Sequence, residues 1–237
     1  MTRKVLAQHD QWAHGRGGQR LHLCGANLDG MRATGTRMID ARFETCSLVD
    51  AQISASILSD IEMEDCVLTR AAFSRSDMDR AILYGCRFTQ ADLRLARLRM
   101  ADIVGSDFSS ALLDRADLTD AILKESIMRG ALIYDTTFDR AYVGYCDFCD
   151  ADLSAQDAVH LCTAEGTWFF RCDFRGSNWE GRHLRNTRFT SCRFHGVRGK
   201  PVIDGEYAME RPNFAADNDG EDIRSGEEMF RLWGAPP

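Results

Sequence analysis

Few residues in this 237-residue chain have types and spacing suited to chemistry. Cys146-Asp147-Phe148-Cys149 has the two-residue gap of a zinc half-site or a redox disulfide. A second cysteine pair would be needed to complete a metal site, and none stands at that spacing. The six histidines, His9, His14, His22, His160, His183 and His195, form neither a His-x-x-x-His pair nor a Ser/His/Asp order. Gly196-Val-Arg-Gly-Lys200-Pro201 has phosphate-loop residue types at the wrong spacing, with proline after the lysine. No catalytic, cofactor-binding or metal-ligating residue is assigned, and no cofactor is expected.

The pattern that must position these residues has a period of five. From Leu23 to Leu153 every fifth residue is large and apolar at 27 positions, with Ala33 the one small exception. Two residues before each stands a small side chain in nearly every case, such as Ala41, Cys46, Ala51, Ser56, Cys66 and Ala71. Neither the 3.6-residue helix nor the 2.0-residue strand produces this. The series weakens at Ala158 and Thr163 and resumes at Phe169, Phe174, Trp179, Leu184, Phe189 and Phe194, a one-residue slip between 163 and 169. Arg182 breaks the small-residue rule.

Ala26-Asn27-Leu28, Ala91-Asp92-Leu93, Ala116-Asp117-Leu118 and Ala151-Asp152-Leu153 carry a unit of the form A(D/N)LXX. In this the chain resembles the pentapeptide-repeat family over most of its length. The resemblance implies an all-β fold, a right-handed quadrilateral parallel β-helix with four pentapeptides per coil. The central residue and the small residue two before it face inward, and the other three positions face out. Roughly eight coils give a rod about 40 Å long at the β spacing. All four prolines, Pro201, Pro212, Pro236 and Pro237, follow the repeats, as a continuous ladder of backbone donors requires.

In that register Cys146 faces in and Cys149 faces out, so the two thiols lie on opposite sides of one wall and do not form a site. Cys149 should react with thiol reagents and Cys146 should not. Cys46, Cys66 and Cys86 recur one coil apart and fill an inner corner.

The ends read as caps. Residues 3–13 form a short amphipathic helix with Val5, Leu6, His9 and Trp12 on one side. Ser225-Gly-Glu-Glu228 opens a second helix whose Met229, Phe230, Leu232 and Trp233 cap the far end or pack on a second copy. The plan is an N-terminal cap at 1–20, repeats at 21–158, an irregular slip at 159–168, a basic run of repeats at 169–200 and an acidic tail at 201–237.

Net charge is −7, unevenly placed. Residues 21–158 hold 14 basic and 23 acidic side chains, 159–200 hold 8 and 3, and 201–237 hold 3 and 9. No apolar run approaches the roughly 18 residues of a membrane span, and no signal peptide is evident, so a cytoplasmic chain with free thiols is expected.

Outward apolar residues Leu112, Ile122, Ile127, Leu132 and Tyr134 mark a candidate interface, with Leu112 and Leu132 stacked one coil apart. Trp168, Phe170 and Arg182 add a second, basic and aromatic, candidate. The reading is a non-enzymatic interaction module with a protein partner, a homodimer among the options, and no direct nucleic-acid or membrane binding. The resemblance implies, as its sharpest form, a DNA mimic that binds or protects DNA gyrase. A scaffold or assembly adaptor, for example beside a secretion system, is the alternative. An enzyme at the basic collar, through Arg182, His183 or His195, is a weaker one.

Overall fold

Each pentapeptide forms one side of a four-sided coil because its inward pair is one large and one small residue. Each corner then turns on a residue in the left-handed region. In a computed structural model, which describes residues 3–155, 164–203, 207–210 and 212–213, corner residues from Asp40 to Ser191 take φ of 51–60°. Non-glycine residues there cost about 1 kcal/mol each, recovered by packing and by ladder hydrogen bonds.

Among the described residues the N-terminal helix α1 (Arg3–Ala13) precedes twelve short strands: β1 (His22–Cys24), β2 (Arg42–Glu44), β3 (Glu62–Glu64), β4 (Ile82–Tyr84), β5 (Asp102–Val104), β6 (Ile122–Lys124), β7 (Tyr142–Gly144), β8 (Trp168–Phe170), β9 (His183–Leu184), β10 (Thr187–Thr190), β11 (Val202–Ile203) and β12 (Tyr207–Glu210). Ten of them stack in parallel as β1-β2-β3-β4-β5-β6-β7-β8-β10-β12, and this ladder is the first face. Bridges one coil apart form the second face (Asn27↔Ser47 onward), the third (Arg32↔Gln52 onward) and the fourth (Arg37↔Ile57 onward). The result is a parallel β-helix of about nine turns, against the roughly eight expected, with the right-handed quadrilateral form that the family resemblance implies.

The interior follows the pairing rule. Phe88 and Phe108 stack with centroids 4.7 Å apart and planes 2° from parallel, and Phe148 and Phe174 stack at 5.1 Å. Small-slot hydroxyls and thiols are not idle. Ser76 Oγ donates to the Ile53 carbonyl at 3.1 Å, and Cys66 and Cys86 Sγ donate to Phe43 and Met63 carbonyls at 3.4 Å. A buried polar atom is thereby satisfied by the coil beneath.

The helix α1 covers the first coil as expected. Val5 and Leu6 pack on the core, and His9 is fully buried and stacked on Trp12 at 5.5 Å. His9 Nδ1 accepts the Leu21 N–H at 2.9 Å, which fixes the ring as the neutral form protonated at Nε2. Burial lowers the His9 pKa below its ordinary value.

Three details differ from the sequence reading. First, Tyr142 pairs with Trp168, 26 residues on, where every earlier rung is 20. Ala164 is fully buried and its N–H bonds the His183 carbonyl, which places Ala164 in the central slot. The step from 164 to 169 is therefore five, and the irregularity is six extra residues between Ala155 and Ala164. Ala158, Thr163 and His160 lie outside the described residues.

Second, the stack continues past residue 200. Val202 pairs with His183, Tyr207 with Thr187, and Asn213 bridges Arg193. Pro201 and Pro212, both buried, occupy the small inward slot. The N–H at that slot serves the turn within a coil, as Ala41 N to the Met38 carbonyl shows, and not the ladder between coils. Proline is compatible with the stack at that one position.

Third, Arg182 is 1% exposed and does not reach the surface assigned to it. Ala164 leaves space in the central column between Phe138 and Leu184, and the Arg182 guanidinium lies 5.2 Å from the Phe138 ring centroid. Arg182 is a core residue here, held over an aromatic face. The predicted helix of Met229, Phe230, Leu232 and Trp233 lies outside the described residues.

Candidate interaction face

Each five-residue step turns one corner, so residues near in sequence land on different faces. Ile122 belongs to the first face, Ile127 to the second, and Leu112, Leu132 and Tyr134 to the third. The single apolar patch expected from those five residues does not form. Leu112 and Leu132 do stack, as their spacing requires, but Leu112 is half-buried. Tyr134 is half-buried, and a hydrogen bond with Asp114, followed by burial, raises its pKa.

The first face brings together a set that the sequence reading only touched. Ile82, Ile122 and Trp168 point outward from alternate or neighbouring rungs, 37–39% exposed, with Tyr142 half-buried between the last two. Tyr84, Val104 and Phe170 flank them one column over, and Tyr145 stands at the adjoining corner, 49% exposed.

The aromatics are locked to one another. Trp168 meets Tyr142 edge-on at 5.3 Å and Phe170 at 5.6 Å, and Phe170 meets Tyr145 at 5.3 Å. Trp168 Nε1 donates to Thr190 Oγ1 at 3.2 Å. Gly144 leaves the Tyr142 ring its place, since a Cβ there would lie 2.7 Å from the Tyr142 hydroxyl and the ring would have to shift. Lys124 Nζ sits 5.5 Å from the Tyr142 ring, and the Arg171 guanidinium 5.6 and 5.4 Å from Tyr145 and Phe170. Interlocked rings with capping cations form a rigid, amphipathic surface that loses little side-chain entropy on contact.

Charge is graded along this face. The early rungs carry Glu44, Glu62 and Glu64 around Arg42, which pairs with all three, while Arg20 reaches Glu62 at 2.9 Å. Tyr84 Oη donates to Asp102 at 2.7 Å, which raises the tyrosine pKa. The late rungs carry Lys124, Arg171 and Arg188 with Glu125 and Glu210, and Glu210 pairs with Arg188 at 3.6 Å.

At the corners away from the first face, charges pair from coil to coil. Asp50 pairs with Arg70, Asp60 with Arg80 and Asp120 with Arg140, each one coil apart at 2.6–2.7 Å. The arginines hold the Asp50 and Asp120 carboxyls below the usual range.

The Cys146–Cys149 pair is no site. Cys146 is buried in the small slot, and burial pushes its thiol pKa far up. Cys149 faces outward but is only 9% exposed, contrary to its expected reactivity. It borders a shallow cleft of about 380 Å³ with Arg129, Asp150, Arg175 and His195. Burial and the Asp147 carboxylate push its thiol up to about 12, so no nucleophile is available there. Among the described residues no three His, Cys, Asp or Glu side chains are grouped to hold a metal. No helix among them is long and apolar enough to cross a membrane.

A family model described as pentapeptide repeats matches in 8 copies over residues 46–140 and 169–198, more than half of the chain. The chain belongs to the pentapeptide-repeat family. Among solved structures, the pentapeptide-repeat protein is similar to HetL of the cyanobacterium Nostoc sp. strain PCC 7120, a protein involved in heterocyst differentiation regulation. The two share 18% identity over 94% of this chain and 100% of that one, with a TM-score of 0.36. It is also similar to full-length QnrB1, a plasmid-mediated fluoroquinolone resistance protein, at 20% identity over 78% and 92% of the two chains, TM-score 0.38. No curated protein matches it.

Proposed function

We propose that this pentapeptide-repeat protein is a non-enzymatic interaction module that presents its first face to another protein. The observation that carries the reading is the interlocked aromatic cluster of Tyr142, Trp168, Phe170 and Tyr145 on one ladder, with exposed Ile122 on the next rung and Ile82 beyond Asp102. Exposed apolar surface of this kind is retained where something covers it. Affinity capture with the whole protein tests it. A partner retained by the native chain and by Leu132→Asp, on the third face, but lost on Trp168→Asp supports the reading. Capture indifferent to Trp168→Asp removes it.

A finer reading, protection or modulation of DNA gyrase by mimicry of a DNA duplex, draws on the family resemblance and on the acidity of residues 21–158. Mimicry calls for one continuous anionic face, and the Asp–Arg ladders work against it. A supercoiling assay with micromolar protein decides it, since neither inhibition nor rescue from a quinolone would end that reading.

A further inference from the structure

The first coil has no coil beneath it. Arg42, Ser47, Gln52 and Ile57 each send a backbone N–H to the coil below, and their counterparts one coil earlier, His22, Asn27, Arg32 and Arg37, have no such coil to reach. Leu21, Leu28, Met31 and Met38 of this coil are nevertheless buried, and Val5 and Leu6 of α1 pack on the core. Helix α1 shields an open strand edge and an apolar floor.

The polar attachment of α1 runs through a titratable ring. Leu21 N–H donates to His9 Nδ1 at 2.9 Å, beside the bond from Gln19 N–H to the Gln8 carbonyl at 3.2 Å. The His9 ring is fully buried, and its Nε2 makes no hydrogen bond of normal geometry. A protonated ring carries hydrogen on both nitrogens, so Nδ1–H and Leu21 N–H would be two donors face to face. The charged groups around the ring are Asp10 on α1, itself 3.5 Å from His14, and Asp40 and Arg20 beside it, with Arg20 bound to Asp40 at 2.6 Å. Burial disfavours the charged ring more than the Ile39 carbonyl and the two carboxylates favour it, and Arg20 adds to the penalty.

We propose that His9 is a proton-operated latch, whose protonation frees α1 from the first coil and opens that end of the β-helix. The neutral ring is the closed state. The released ring binds its proton more readily than the docked one. Docking is therefore complete above about pH 6.5 and weakens as pH falls toward the docked ring's value, by up to about tenfold per pH unit. Trp168 lies seven rungs away along the ladder, so the latch stands or falls independently of the interaction reading.

Hydrogen exchange of the whole protein, read as protection relative to the unstructured rate at each pH, tests this. Between about pH 7.5 and 5 the α1 amides and the Leu21 amide should lose protection together, while β4 to β7 keep theirs. His9→Gln, whose amide oxygen still accepts the Leu21 N–H and does not titrate, should hold α1 across that range. His9→Phe keeps a ring without the acceptor and should leave α1 less protected even at the upper end. Asp40→Asn removes a carboxylate that favours the charged ring, at a left-handed corner that Asn tolerates, and should move the midpoint to lower pH. Loss at Leu21 alone, with α1 unchanged, would mean that the ring turns in place, and overturns the latch. An equal pH step in His9→Gln overturns it too, as does simultaneous loss in β4 to β7, which is acid unfolding of the whole solenoid.

Discussion

The coils before and after the six-residue insertion are built on one frame with different fillings. Before it, the central column is mostly Leu, Ile and Met over Ala or Ser, with Phe at a minority of levels, of which Phe88 stacks on Phe108 and meets Phe73 edge-on. After it, Phe169, Phe174, Trp179, Phe189 and Phe194 form a continuous aromatic stack with centroids 5.0–6.1 Å apart, over Thr, Cys and Ser. The late coils also bury Arg182 in the slot two before the central residue, where the early ones hold Ala, Ser, Cys or Thr and, at Leu21, Met31 and Ile61, an apolar side chain. Backbone register, and not the chemistry of the filling, is what the fold conserves along its axis. Each level only has to fill its own volume and that of its neighbours.

The largest test of this contrast is Trp179→Ala. Its ring contacts Phe169, Phe174 and Phe189, and its Nε1 donates to Ser177 Oγ at 2.8 Å. Loss of the late stack should cost about 3–5 kcal/mol, read by chemical denaturation, with Leu98→Ala in the early run toward the low end of about 2–5.

Next comes the exchange between Ala164 and Arg182. Ala164→Leu should destabilise by about 1–3 kcal/mol, because the new side chain takes the space over Phe138 that the guanidinium occupies. Adding Arg182→Ala should recover part of that loss. A double variant no better than the additive sum would mean the two residues do not share a cavity.

A smaller effect separates the capped first coil from the rest. The neutral His9 ring accepts the Leu21 N–H, and its folded pKa lies below the ordinary value of 6.5. The unfolded chain therefore binds the proton more readily. This contribution is present above about pH 6.5 and lost as pH falls through the folded value. The protection factor of the Leu21 amide, its exchange rate relative to the unstructured rate at the same pH, should fall on acidification from pH 7.5 to 5.5, and a His9→Gln chain should show no such pH step.

Thiol chemistry follows. Cys24, exposed on β1, should be labelled by an alkylating reagent in the native protein, while Cys149 and Cys146 should stay unlabelled, as peptide mass spectrometry would show. Smallest of all is Arg140→Gln. The exposed pair with Asp120 should shift the melting temperature by no more than about 1–2 °C, and less in high salt.

Much of the fold was legible because one side of a coil is a five-residue decision repeated in unbroken register from Leu28 to Leu153, with Ala33 the one small central residue. The site was less so. Leu112, Ile122 and Ile127 look adjacent in a linear string, yet each five-residue step rotates the wall by a corner. Columns at 20 residues, as for Ile82, Asp102 and Ile122, hold the information, but the column breaks at Tyr142–Trp168, where the insertion adds six. Slot position also fails to give exposure. Cys149 faces out and is covered, because Arg129 and Arg175 in the rungs on either side lay long side chains beside it. Arg182 faces in, and only the absence of bulk at Ala164 explains how it fits.

The 20-residue rung has a kinetic consequence. Nearly every tertiary pairing joins residues about 20 apart, so the mean separation over 237 residues gives a relative contact order of about 0.08, in the range of helical bundles and far from other all-β folds. Folding should proceed as a zipper that starts at any stable pair of rungs and adds neighbours. The longer excursion between β7 and β8 raises loop-closure cost by only a few tenths of a kcal/mol, so it slows that zipper little.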